Sequence, residues 1–136
     1  MIDDFRDLLA RFRADGVRFL VVGAHALAAH GVPRVTGDLD LWIEPTPHNA
    51  ALAWRAMADF GAPLEALGIM VADLYAPEQV VQIGLAPYRI DVMTSISGVA
   101  FDPAWVDRLE GTLFGVPVAF LGRASFLTNK RASGRP

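Results

Sequence analysis

The chain has 136 residues, which suits one domain able to bury a core without covalent staples. Apolar residues make up 53% and charged residues 20%, which excludes a disordered chain. There is no cysteine, so disulfide scaffolds, thiolate zinc sites and a cysteine nucleophile are excluded, and the composition fits a reducing cytoplasm. A net charge of −3 gives no global attraction to nucleic acid. Positive charge does gather at the end, where Arg123, Lys130, Arg131 and Arg135 follow the last acidic residue, Glu110. No apolar run is long enough to span a bilayer, and the acidic start (Asp3, Asp4) is unlike a secretion signal, so no membrane partner is expected.

Residues 2–15 predict an amphipathic helix, with Ile2, Phe5, Leu8 or Leu9, and Phe12 at helical spacing. Gly16 is its expected stop. The β-branched run from Val17 to Val22 predicts a buried strand ended by Gly23. Ala24 to His30 is alanine-rich and helix-prone. Thr36 to Glu44 predicts a second strand, with Leu39, Leu41 and Ile43 on one face and Asp38, Asp40, Trp42 and Glu44 on the other.

Thr46-Pro47 reads as a helix cap followed by proline at the first helical position, with the helix running to Phe60 and Gly61. A short helix is expected around Pro63 to Leu67. Glu78 to Ile83 and Tyr88 to Thr94 predict two strands joined by a hairpin-like turn. In the second, Arg89, Asp91 and Met93 share a face. Phe101 to Leu109 is expected to be helical, Thr112 to Leu121 a hairpin around Gly115, and Ala124 to Ala132 a terminal helix.

The chemistry sits between Gly23 and Ile43. Asp38 and Asp40 are one residue apart on a strand, so their carboxylates share a face with a rigid backbone behind them. Hard divalent cations take oxygen ligands of this kind, and without a cation the pair repels. A bare acidic-apolar-acidic triplet is more often the solvated face of an edge strand. Here, however, a strand, Gly23 and a helix start precede it, an arrangement in which backbone N–H groups can approach a phosphate.

These residues resemble the DNA polymerase β-type nucleotidyltransferase superfamily. The likeness is to small bacterial members grouped with AbiEii-type and MNT-type toxin–antitoxin proteins. It rests on Val21-Val22-Gly23-Ala24, then Asp38-Leu39-Asp40, with His30-Gly31-Val32-Pro33-Arg34-Val35-Thr36 between them. Tyr88-Arg89-Ile90-Asp91-Val92 supplies a third acidic residue on a later strand, and Asn129-Lys130-Arg131-Ala132-Ser133-Gly134-Arg135 matches a stretch near the family's end. The resemblance covers roughly residues 17 to 135.

The resemblance implies an α+β domain over residues 1–136, with a mixed, mostly antiparallel sheet of about four to six strands and helices packed on one side. It implies transfer of a nucleoside monophosphate from a nucleoside triphosphate to an acceptor, such as tRNA, a cognate protein or a small molecule. Asp38 and Asp40 would hold the Mg2+ or Mn2+ that carries the triphosphate. With Asp91, which would also act as general base, they would share a second ion. Gly23 and Ala24 would cradle the triphosphate, and Arg34, Thr36 and Lys130 complete the expected nucleotide contacts. Two departures stand out. Ala24 replaces the family's glycine or serine, removing a hydroxyl contact to phosphate, and the family's further terminal segment has no counterpart before Pro136. Both fit an alternative, a catalytically silent interaction module resembling an antitoxin-like partner. A metal-dependent phosphohydrolase using the same carboxylates is a third reading.

Overall fold

The computed structural model describes residues 2–32, 37–84 and 88–134. Arg34, Thr36 and Arg135, singled out in the sequence, lie outside these residues.

The elements run α1 (Ile2–Ala14), β1 (Phe19–Val22), α2 (Gly23–Ala29), β2 (Asp38–Ile43), α3 (Pro47–Phe60), β3 (Val80–Ile83), β4 (Arg89–Met93), α4 (Phe101–Val106), β5 (Leu109–Leu113), β6 (Val116–Phe120) and α5 (Arg123–Ala132). One six-stranded sheet has the order β3-β4-β2-β1-β6-β5. The pairs β1–β2, β3–β4 and β5–β6 are antiparallel, whereas β2–β4 and β1–β6 are parallel. The architecture is therefore α+β with a mixed, mostly antiparallel sheet. Among the described residues no helix is long and apolar enough to cross a membrane.

Alternation along the strands makes the two faces of the sheet chemically different. Val21, Leu39, Leu41, Ile43, Ile90 and Val92 form an apolar face, all buried. The long helices cover it: Phe12 of α1 meets Phe19 edge-on at 5.3 Å between ring centroids, and α3 packs beside α1. The other face carries Asp38, Asp40 and Trp42 on β2 beside Arg89, Asp91 and Met93 on β4. Its far half is closed by α4, whose Phe101 ring meets Trp42 edge-on at 5.1 Å. Trp42, on the same face as the acids, is thus fully buried.

The α3 boundaries follow the sequence closely. Thr46 caps the helix by accepting from the Asn49 N–H at 3.3 Å, and Pro47 opens it. Asn49 then joins three elements. Its Oδ1 accepts from the Arg18 N–H at 2.7 Å, and its Nδ2 donates to the carbonyls of Arg18 and Glu44, each at 2.9 Å.

Two expectations need correction. Pro63 to Leu67 is not a helix but a turn, and the helical piece nearby is a 3-10 turn at Val71–Leu74. So short a segment cannot repay the cost of nucleating a helix by itself. The Trp54 Nε1 also pins the Ile69 carbonyl at 2.9 Å, and Met70 after it is extended. In addition, α4 stops at Val106 instead of Leu109. Leu109 pairs with Phe120, so the strand ladder claims the residues that would have continued the helix.

Asn49→Ala would strand the Arg18 N–H, while the carbonyls of Arg18 and Glu44 keep the N–H groups of Glu44 and Thr46. The unfolding free energy should fall by about 1–3 kcal/mol, read from the urea midpoint at unchanged slope. A loss below ~1 kcal/mol means that water replaces the side chain.

Candidate active site

The carboxylates are brought together by register. Because β2 and β4 pair in parallel, Asp40 stands directly opposite Asp91, and Asp38 opposite Arg89. Paired residues project to the same side of a sheet, so three carboxylates and one guanidinium share one patch. Val22, the last residue of β1, pairs with Asp40 from the other flank, which puts the β1–α2 bend beside the patch.

That bend has to be glycine. Gly23 has φ +71°, and a Cβ there would lie 2.3 Å from Asp40 Oδ2. A side chain at this position is strained by its backbone and collides with the carboxylate. The first turn of α2 has no side-chain cap, so the N–H groups near Gly23 and Ala24 are not claimed by a capping residue.

Arg89 dominates the electrostatics. Its Nε donates to Asp91 Oδ1 at 2.9 Å, and its Nη2 donates to Asp91 Oδ2 at 3.2 Å and to Asp38 Oδ2 at 3.4 Å. The hydrogen bond with Asp91 is the main reason that Arg89 is held even more firmly cationic than usual. Asp40 lies outside this fork and makes no hydrogen bond or ion pair among the described residues. Burial first, then repulsion from Asp91 and Asp38, raises its pKa from 3.8 to about 6.

A half-buried carboxylate set among other carboxylates is short of positive charge, and an all-oxygen donor set of this kind suits Mg2+ or Mn2+. Among the described residues, however, no three His, Cys, Asp or Glu side chains stand ready-arranged to hold an ion. The guanidinium bonds the same oxygens that an ion would use.

A cavity of about 560 Å3 is lined by Gly23, which abuts Asp40, and by Ala24, but by none of the carboxylates themselves. Leu27, Leu121 and Phe126 give it an apolar wall, and Ser97, Asn129 and Lys130 add polar tips. Asn129 Nδ2 donates to the Ser97 carbonyl at 2.9 Å, fastening α5 across the opening. Lys130 therefore reaches the same cavity as Gly23 and Ala24. The contributions of Phe126, Asn129 and Ser133 were not anticipated from the sequence. Their spacing with Lys130, at i, i+3, i+4 and i+7, marks one face of a helix and was the available signal. A smaller cavity of about 310 Å3, around Arg13, Arg18 and Trp105, shares no residue with the carboxylate patch.

His25 and His30 serve packing. His30 Nε2 lies 2.8 Å from the Leu121 carbonyl. His25 sits between the rings of Phe5 and Phe114, with centroids at 6.4 and 5.6 Å. Burial lowers its pKa, outweighing a hydrogen bond with the Asp38 backbone that favours the charged form.

Two outcomes follow for the ion-free protein. Asp40 is protonated more readily in the folded state than in the unfolded chain. Its contribution to stability is complete below its ordinary value of 3.8 and is lost as pH rises through about 6. Asp40→Asn should therefore gain on the parent across that window, by about 1–3 kcal/mol, in paired urea titrations at several pH values. A difference that does not change with pH refutes this account. Gly23→Ala should cost about 1–3 kcal/mol, and less in the Asp40→Ala background, because the collision disappears while the backbone strain remains.

No family model matches the sequence, and no curated protein matches it. Among solved structures, the chain is similar to a Thermotoga maritima protein provisionally described as a nucleotidyltransferase. The two share 15% identity at a TM-score of 0.64, over 96% of this chain and 82% of that one. Such a likeness speaks for architecture, and on it this chain has a nucleotidyltransferase-like fold.

Proposed function

We propose that the protein transfers a nucleoside monophosphate from a nucleoside triphosphate to an acceptor hydroxyl. The observation that carries this reading is the pairing of Asp40 with Asp91, with Asp38 on the same face and Gly23 against Asp40. Asp38, Asp40 and Asp91 would hold Mg2+ or Mn2+, which neutralises charge on the triphosphate and acidifies the acceptor hydroxyl.

The chain's own residues place and hold the reactants. Gly23 and Ala24 offer backbone N–H groups to the triphosphate, and Lys130 offers an ammonium from across the cavity. The walls of Leu27, Leu121 and Phe126 suit a nucleoside, whose base is flat and largely apolar on its faces. The acceptor oxygen bonds to the α-phosphorus, and the bond from that phosphorus to the bridging oxygen breaks. Pyrophosphate leaves, and the Asp91 carboxylate takes the hydroxyl proton. Arg34 and Thr36 are assigned to phosphate contacts on the sequence resemblance alone. The same resemblance favours a toxin–antitoxin setting, with tRNA or a cognate protein as acceptor.

One observation favours the catalytically silent alternative: Arg89 already neutralises two of the three carboxylates. Direct assay separates the readings. The protein is incubated with each α-labelled triphosphate, Mg2+, and total cellular RNA or protein. Transfer with pyrophosphate release is expected, and Asp40→Asn and Asp91→Asn should reduce it at least ~100-fold while both variants stay folded. Equal labelling by parent and variants defeats the proposal, and orthophosphate release in place of pyrophosphate indicates hydrolysis. Phe126→Ala should weaken triphosphate binding about tenfold, leaving affinity for inorganic tripolyphosphate unchanged.

A further inference from the structure

We infer that Arg89 is an exchangeable internal cation, which holds the carboxylate patch in place of the metal and must leave Asp91 before an ion can bind. The inference rests on the proposed metal-dependent reading and concerns how that site is loaded.

Three observations carry it. The guanidinium fork engages both oxygens of Asp91, at 2.9 and 3.2 Å, and reaches Asp38 on the neighbouring strand at 3.4 Å. Among the described residues no group of three acidic or histidine side chains is left arranged for an ion. Asp40, half-buried, stays outside the guanidinium's hydrogen bonds.

An oxygen lone pair that accepts from a guanidinium is not free to ligate a metal. A divalent ion placed beside an undisplaced arginine also meets like charge at short range in a partly buried site. Binding is therefore an exchange of cations, and the measured affinity is the intrinsic one reduced by the work of breaking the Arg89–Asp91 pair. The side chain has somewhere to go. It is 33% exposed, and a guanidinium on a long stem can swing towards solvent without unpacking the core. A bound triphosphate gives the released fork a second anion, since phosphate oxygens accept from arginine in the same two-pronged geometry. Metal and triphosphate should then load together, each removing part of the cost of the other.

The test measures Mn2+ binding by electron paramagnetic resonance and calorimetry, on the whole chain without nucleotide. Arg89→Gln should bind Mn2+ about tenfold more tightly than the parent. Tripolyphosphate should tighten Mn2+ binding in the parent by a larger factor than in Arg89→Gln. Arg89→Lys, which keeps the charge but not the fork, guards against misfolding of the neutral variant and should fall between the two. Circular dichroism melts establish that each variant is folded. Equal or weaker Mn2+ binding by both variants overturns the inference and leaves the metal-dependent reading standing. If neither the parent nor any folded variant binds Mn2+, with or without tripolyphosphate, the inference and the metal-dependent reading fall together.

Discussion

The parallel pairing of β2 with β4 is the constraint on which the rest depends. It sets Asp40 against Asp91 and Asp38 against Arg89 in one stroke. Two carboxylates facing each other in a half-buried place repel, and no packing force compensates for that. The pairing persists because it belongs to a ladder whose opposite face is wholly apolar. Leu39, Leu41, Ile90 and Val92 are buried under α1 and α3. A slip of one residue would turn that row to solvent and the acids into the core. The hydrophobic face thus holds the acidic face in an arrangement that it would not adopt by itself.

The positive charge that answers this repulsion comes from the same strand. Arg89 lies two residues before Asp91, so strand alternation alone puts both on one side. Its second bond, to Asp38, exists only because the strands are paired in this register. The patch is left with one acid outside the guanidinium's hydrogen bonds, and that acid is pressed against Gly23. Positive charge is therefore wanted at a definite place, beside the bend that leads into α2 and the cavity beyond it.

Much of this was legible in the chain. The strand of alternating acids, the Thr46-Pro47 helix start and the Gly23 bend are local signals, and the structure follows them. The face shared by Asp91 and Arg89 was readable from alternation. What was not legible depended on distant partners. Nothing near Arg89 tells that it bonds Asp38, fifty-one residues away in sequence. Trp42 is buried because α4 folds over it, and local sequence does not say where α4 lands. Leu109 ends in a strand because Phe120 is there to pair with it. The cavity wall falls between these cases, since the helical spacing of Phe126, Asn129, Lys130 and Ser133 was visible but its destination was not.

The seat of α5 reaches further than its own contacts. Gly98 has φ +74°, and a Cβ there would lie 2.3 Å from the Ala132 Cβ, so the loop after β4 and the last turn of α5 touch almost backbone to backbone. The width of the neighbouring cavity is set at this point of contact, by two small residues outside its lining. Larger side chains at either position would act as a wedge and tilt the helix outward. The size of guest that the cavity admits could thus drift through changes at a remote hinge, while the groups that face the guest stay the same.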